Sequence, residues 1–212
     1  PDLLDKSKLQ HSREKYGVKT NEKILALMPG SRRGELDRHL DIQLEVAKRL
    51  LQKHEHLRLA ILVAPTISRE SFLERLDNFK SPFILLQDDP YKMISLADYV
   101  LVASGTATLM VGLLQKPMVI MYRVKWLTGV ILKTIAKGVK YFGLVNLILN
   151  DEVVPERLQE KANAEELYSL VNRYIEDEAY TESIVAKLKR LPEFLGEKGA
   201  TARVAESIEK YL

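Results

Sequence analysis

The chain contains no cysteine, which excludes disulfide staples and thiolate-ligated metal and fits a reducing compartment. Its four histidines, His11, His39, His54 and His56, form no HExxH pair; their polar settings predict surface positions, and neither metal nor another cofactor is expected. No apolar stretch approaches the roughly 20 residues that span a bilayer, and the opening residues lack a signal-peptide pattern. A surplus of charge is missing too. With 32 basic and 29 acidic residues the net charge is +3, too balanced for a protein that holds nucleic acid by neutralising phosphates. Neither GxxxxGK[ST] nor a GxGxxG after the first apolar run occurs, which argues against P-loop hydrolases and dinucleotide-binding domains.

At 212 residues and 46% apolar content, one domain with a substantial core is expected. Short continuous apolar runs alternate with amphipathic segments. The runs at 24–28, 59–63, 83–86, 99–102 and 118–121 read as buried strands. Helices are predicted at 6–16, 35–53, 68–76, 91–97 and 105–115. This order predicts an α/β fold, a doubly wound parallel sheet, with right-handed crossovers. The Rossmann-like core is expected over about residues 18–155. From Glu156 a strandless helical tail, with helices near 164–176, 181–191 and 201–212, is expected as a cap on the sheet edge.

Two glycine turns carry the chemistry. Pro29-Gly30-Ser31-Arg32-Arg33 and Ala103-Ser104-Gly105-Thr106-Ala107-Thr108 each follow a predicted strand and open a helix. Small residues let a ligand approach the backbone, and helix N-termini present unpaired N–H groups to an anion. A guanidinium at Arg32 or Arg33 suits bidentate contact with phosphate, and Ser104 reads as an N-cap. Tight junction turns with solvated arginines would leave the same spacing. The segment 123–142 interleaves Arg123, Lys125, Lys133, Lys137 and Lys140 with Trp126, Val130, Ile131 and Ile135. That pattern serves a membrane surface or a packed soluble helix equally.

Four ordered blocks together resemble the lipid A disaccharide synthase family, inverting glycosyltransferases of GT-B architecture. They are residues 27–35 (Leu-Met-Pro-Gly-Ser-Arg-Arg-Gly-Glu), 102–109 (Val-Ala-Ser-Gly-Thr-Ala-Thr-Leu), Lys116-Pro117-Met118-Val119 with Tyr122-Arg123, and Asn146-Leu147-Ile148 followed by residues 152–159. The resemblance covers the C-terminal, donor-binding half. It implies transfer of 2,3-diacylglucosamine from its UDP-linked donor to 2,3-diacylglucosamine 1-phosphate, without metal, at the cytoplasmic face of a Gram-negative-type inner membrane. It implies cofactor-like binding of the UDP-sugar by Gly30, Ser31, Arg32, Ser104, Gly105, Thr106 and Arg123, and catalytic roles for Arg32 and Asn146. The acceptor-binding N-terminal half with its general base is expected to be missing, and the start at Pro1 predicts a fragment or processed chain. Two positions depart from the family pattern: Met110 stands where an acid would hold the ribose hydroxyls, and Asn150-Asp151-Glu152 replaces a Gly-Arg-Glu run. The alternatives are another UDP-sugar enzyme of this architecture and a noncatalytic nucleotide-sugar-binding module.

Overall fold

The structure, a computed structural model, describes residues 6–124 and 140–196. Within them, β1 (Lys23–Met28), α2 (Arg33–Lys53), β2 (Leu57–Leu62), α3 (Arg69–Glu74), β3 (Ile84–Leu86), α4 (Pro90–Leu96), β4 (Tyr99–Ala103), α5 (Ala107–Leu113) and β5 (Met118–Tyr122) follow α1 (Lys6–Lys15). The strands form because their apolar residues are continuous. Leu25, Ala26 and Leu27 of β1 and Val119, Ile120 and Met121 of β5 are fully buried, as strands covered on both faces must be.

All pairings are parallel, in the order β3-β2-β1-β4-β5-β6. From β1 the chain winds outward to β3, then returns to β4 beside β1 and winds the other way. Right-handed crossovers therefore put α2 and α3 on one face and α4 and α5 on the other. The order reverses between β1 and β4, where Met28 pairs with Val102 at the carboxyl ends. In an open parallel sheet that is where a ligand crevice forms.

The region after residue 155 corrects the sequence reading twice. A sixth strand, β6 (Glu156–Leu158), pairs with β5 through Ile120 and Glu156, so the sheet continues into the segment expected to hold only helices. The helices that follow are not an edge cap. After β6, α7 (Ala164–Glu176) lies against α2, β4 and β5, and α8 (Glu178–Leu188) follows it; α6 (Leu144–Leu149), which precedes β6, packs on α5. Leu167, Val171 and Tyr174 of α7 are buried, each such aliphatic contributing about 1.5–3 kcal/mol. The Tyr174 hydroxyl donates to the Met118 carbonyl at 3.0 Å, and its ring stacks between Tyr99 and Tyr180. At the rim of this contact Lys53 pairs with Glu176 at 2.6 Å, and His54 Nε2 lies 2.9 Å from Asn172 Oδ1. The predicted helix at 201–212 lies outside the described residues, as do Trp126 and Lys133 of the basic segment.

Candidate nucleotide site at the switch point

The two glycine turns flank the strand-order reversal, yet their glycines answer different needs. Gly30 has φ +129°, a conformation side chains disfavour, and an added Cβ would lie 2.5 Å from the Cβ of Glu35. Glu35 folds back over the turn. Its Oε2 accepts the Ser31 N–H at 2.7 Å, while Oε1 meets Arg32 Nη1 at 3.2 Å. This is capping by a carboxylate in the helix's own first turn. The anion expected at the start of α2 is thus partly supplied by the protein, and Gly30 is fixed by folding rather than by close approach of a ligand. The Arg32 side chain is 82% exposed above it.

At the second turn, Ser104 N–H donates to the Met121 carbonyl at 2.8 Å and its hydroxyl leans toward the Phe142 carbonyl at 3.5 Å. Thr106, rather than Ser104, is the N-cap residue of α5, and it makes no side-chain cap bond. Thr108 Oγ1 donates to the Gly105 carbonyl at 2.8 Å, closing the turn from within. Gly105 itself is exposed, has no left-handed φ, and a Cβ there would meet nothing within 4 Å. Neither backbone nor packing requires a glycine there, and the space above it is open.

His39 and Arg38, neighbours on α2, hold the third part of the site. His39 is buried, which overturns its predicted surface position. One ring nitrogen, Nδ1, lies 3.1 Å from the Pro29 carbonyl, and Nε2 accepts the Arg123 N–H at 3.1 Å. Arg38 Nε donates to the Arg123 carbonyl at 2.9 Å. Both backbone polar groups of Arg123 are therefore clasped, and the first turn is tied to the end of β5. Since Nε2 accepts, the Nδ1–H tautomer of a neutral ring is required. Burial lowers the His39 pKa below 6.5, outweighing the opposing hydrogen bond to Pro29. The unfolded chain then takes up a proton as pH falls through 6.5 while the folded chain resists, so stability is full above that pH and declines in acid. The urea midpoint should drop between pH 7.5 and 5.5, and drop less in His39→Gln; equal drops would show that His39 is not the group responsible.

Asn146, expected in a catalytic role, is fully buried with its amide engaged. Its Nδ2 donates to the Val154 carbonyl at 2.7 Å and to Glu156 Oε1 at 2.6 Å, and Oδ1 accepts the Val154 N–H at 3.0 Å. Glu156 Oε2 in turn accepts the Phe142 N–H at 2.8 Å. This chain of bonds sets the stretch 140–143 beside Ser104, so Asn146 acts on the site through Phe142. Met110 packs against the core rather than offering an acceptor, and Asp151 pairs with Lys187 at 3.2 Å.

Sequence reasoning missed His39 and the equally buried Gln43. A signal was available: Glu35, His39 and Gln43 recur every fourth residue beside the apolar stripe Leu36, Leu40 and Leu44, a polar row too close to the core face to be solvated.

The family model of lipid-A-disaccharide synthetase matches residues 2–205. The chain belongs to that family. Lipid-A-disaccharide synthase 1 of Legionella pneumophila subsp. pneumophila (strain Philadelphia 1) is 37% identical over 195 residues, covering 92% of this chain and 50% of that protein. The lipid-A-disaccharide synthase of Myxococcus xanthus (strain DK1622) is 36% identical over 200 residues, covering 94% and 52%. The chain thus spans about half the length of the curated synthases it matches. The solved structure of S. aureus MnaA with UDP superposes with a TM-score of 0.61 at 14% identity, over 94% of this chain and 48% of that one, a likeness of fold alone. Membership in the lipid-A-disaccharide synthase family favours the glycosyltransferase reading over a noncatalytic module. Among the described residues of this synthase-family chain, no helix is long and apolar enough to cross a membrane.

Proposed function

We propose that the chain is the donor-binding half of a glycosyltransferase that joins two acylated glucosamines. The observation that carries this reading is the glycine at position 105, which nothing in the fold requires, in a turn beside the β1–β4 reversal. The diphosphate of UDP-2,3-diacylglucosamine would lie there, its charge met by backbone N–H groups of Gly105 and Thr106 and by the Arg32 guanidinium, with Gly30 and Ser31 shaping the approach and Arg123 held alongside. In the reaction, the 6-hydroxyl oxygen of 2,3-diacylglucosamine 1-phosphate bonds to C1 of the donor sugar. The bond from C1 to the β-phosphate oxygen breaks, UDP carries away the electron pair, and the hydroxyl proton passes to a base on the acceptor-binding half. The electrostatic task falls on groups fixed before the charge develops, without metal. Arg32 would exchange Glu35 for phosphate, an inexpensive move for a side chain so exposed. The enzyme would work at the inner face of a bacterial inner membrane, where both acylated substrates reside, with the basic segment 123–142 against lipid.

Isothermal titration of the 212-residue chain with UDP tests the reading. Saturable binding is expected, weakened about tenfold or more in Arg32→Ala, a loss of about 1.4 kcal/mol. The acylated donor should bind more tightly than plain UDP-N-acetylglucosamine, and no disaccharide should form without the acceptor-binding half. Absence of UDP binding at saturating concentration would overturn the proposal.

A further inference from the structure

A cavity lies on the other side of the first turn, between the exits of β1 and β2 rather than β1 and β4. It has a volume of about 290 Å³ and runs from Ser31–Arg33 across to the loop and helix of residues 66–75. Three guanidinium-bearing residues, Arg32, Arg33 and Arg75, and four hydroxyl residues, Ser31, Thr66, Ser68 and Ser71, line it, and no carboxylate residue is among its walls. The Thr66 hydroxyl donates to the Ser31 carbonyl at 2.7 Å and pins the two walls together. Asp37 holds Arg75 from outside at 2.6 Å, and Glu35 touches Arg32. Ser68 is already engaged, donating to Glu70 at 2.7 Å and accepting the Ser71 N–H at 3.3 Å. Arg33 is exposed and has no ion-pair partner among the described residues. Of the three arginines only Arg33 lacks a carboxylate partner among the described residues; Glu70, the third carboxylate at the rim, is bonded to Ser68 instead. The floor is apolar, from Leu36 and Ile67, so an anion seated there would be partly withdrawn from screening water.

We propose that this cavity, which shares Ser31 and Arg32 with the first turn but lies apart from the Gly105 turn, is an anion subsite that takes a phosphomonoester. Guanidinium forks match the oxygens of a terminal phosphate, and a monoester carries close to two negative charges near pH 7, which suits a pocket whose Arg33 guanidinium has no carboxylate partner. The assignment of its source rests on the proposed function: in that reaction the group of this chemistry is the 1-phosphate of the acceptor sugar, whereas the donor presents a diester-linked diphosphate. The pocket would anchor the acceptor's phosphate from the donor-binding half, beside the turn that holds the leaving group.

Amide chemical shifts of the ¹⁵N-labelled 212-residue chain, titrated separately with inorganic phosphate, glucosamine 1-phosphate and UDP, test this. Glucosamine 1-phosphate should shift the amides of Arg33 and residues 66–75 saturably, more tightly than inorganic phosphate, and should still do so through Arg33 and Arg75 when UDP already saturates the Gly105 and Thr106 amides. Arg33→Gln, which removes a side chain with no ion pair to lose, should weaken this binding about tenfold, with Arg75→Gln as a second variant and the urea midpoint as the check of folding. Displacement of the sugar phosphate by UDP would overturn the separateness of the subsite. Equal affinity for inorganic phosphate and glucosamine 1-phosphate would overturn its assignment to the acceptor. No saturable shift at about 10 mM of either would overturn the site. Failure of UDP to bind while the sugar phosphate still binds would remove the proposed nucleotide site but leave the anion pocket standing.

Discussion

Gly105→Val should weaken UDP binding at least about a hundredfold, equivalent to about 2.7 kcal/mol, while shifting the urea midpoint little. The two halves of that result come from one observation. Space above Gly105 is open and its φ is not left-handed, so the folded chain accommodates a side chain there; a bound diphosphate would not. Gly30→Ala supplies the contrast. There the added methyl meets Glu35 and the backbone sits at φ +129°, so the damage falls first on folding. Calorimetric titration of both variants, beside their denaturant curves, separates a glycine kept for a ligand from one kept for a turn. Unchanged UDP affinity in Gly105→Val would remove the second turn from the site.

Asn146→Ala should destabilise the chain by about 3–5 kcal/mol, because it strands the N–H and C=O of Val154 and one oxygen of Glu156, each such buried group costing about 1–3 kcal/mol. Asn146→Asp should be at least as harmful. It keeps the shape but replaces two donated hydrogen bonds by a carboxylate facing both the Val154 carbonyl and Glu156. Urea unfolding followed by circular dichroism measures the effect. A loss of UDP binding with stability changed by less than about 1 kcal/mol would return Asn146 to the ligand and refute its role as a brace.

The strands β1, β2, β4 and β5 were legible because each contains a continuous apolar run, from Ile24 in β1 and from Leu59 in β2, and the two turns were legible because small residues follow the runs of β1 and β4. What escaped has physical causes. β6 is three residues, Glu-Arg-Leu, each half-buried, so no periodicity marks it; only pairing with β5 makes it a strand. α6 is six residues, apolar but for Asn146, too short for helical period to separate it from a buried strand. Asn146 stands in the expected block, but its partners at 154 and 156 turn it inward, a fact of three-dimensional closure. His39 escaped because histidine is commonly exposed, and its two partners, at 29 and 123, come together only when β5 lies beside β4. At the first turn the glycine was correctly located while its cause, the returning Glu35 carboxylate, depended on the rotamer of a side chain five residues away.

The seat of α7 on the sheet bears on how the chain is made. One face of β4 and β5 is covered by residues that leave the ribosome some fifty positions after Met118, and until then Tyr99 and the aromatic pocket around it have no lid. A nascent chain halted near residue 150 would hold its nucleotide turns already written but display a greasy flank, the kind of surface that holdase chaperones recognise. On the proposed function, ligand competence during synthesis would wait on a helix that contributes nothing to the ligand.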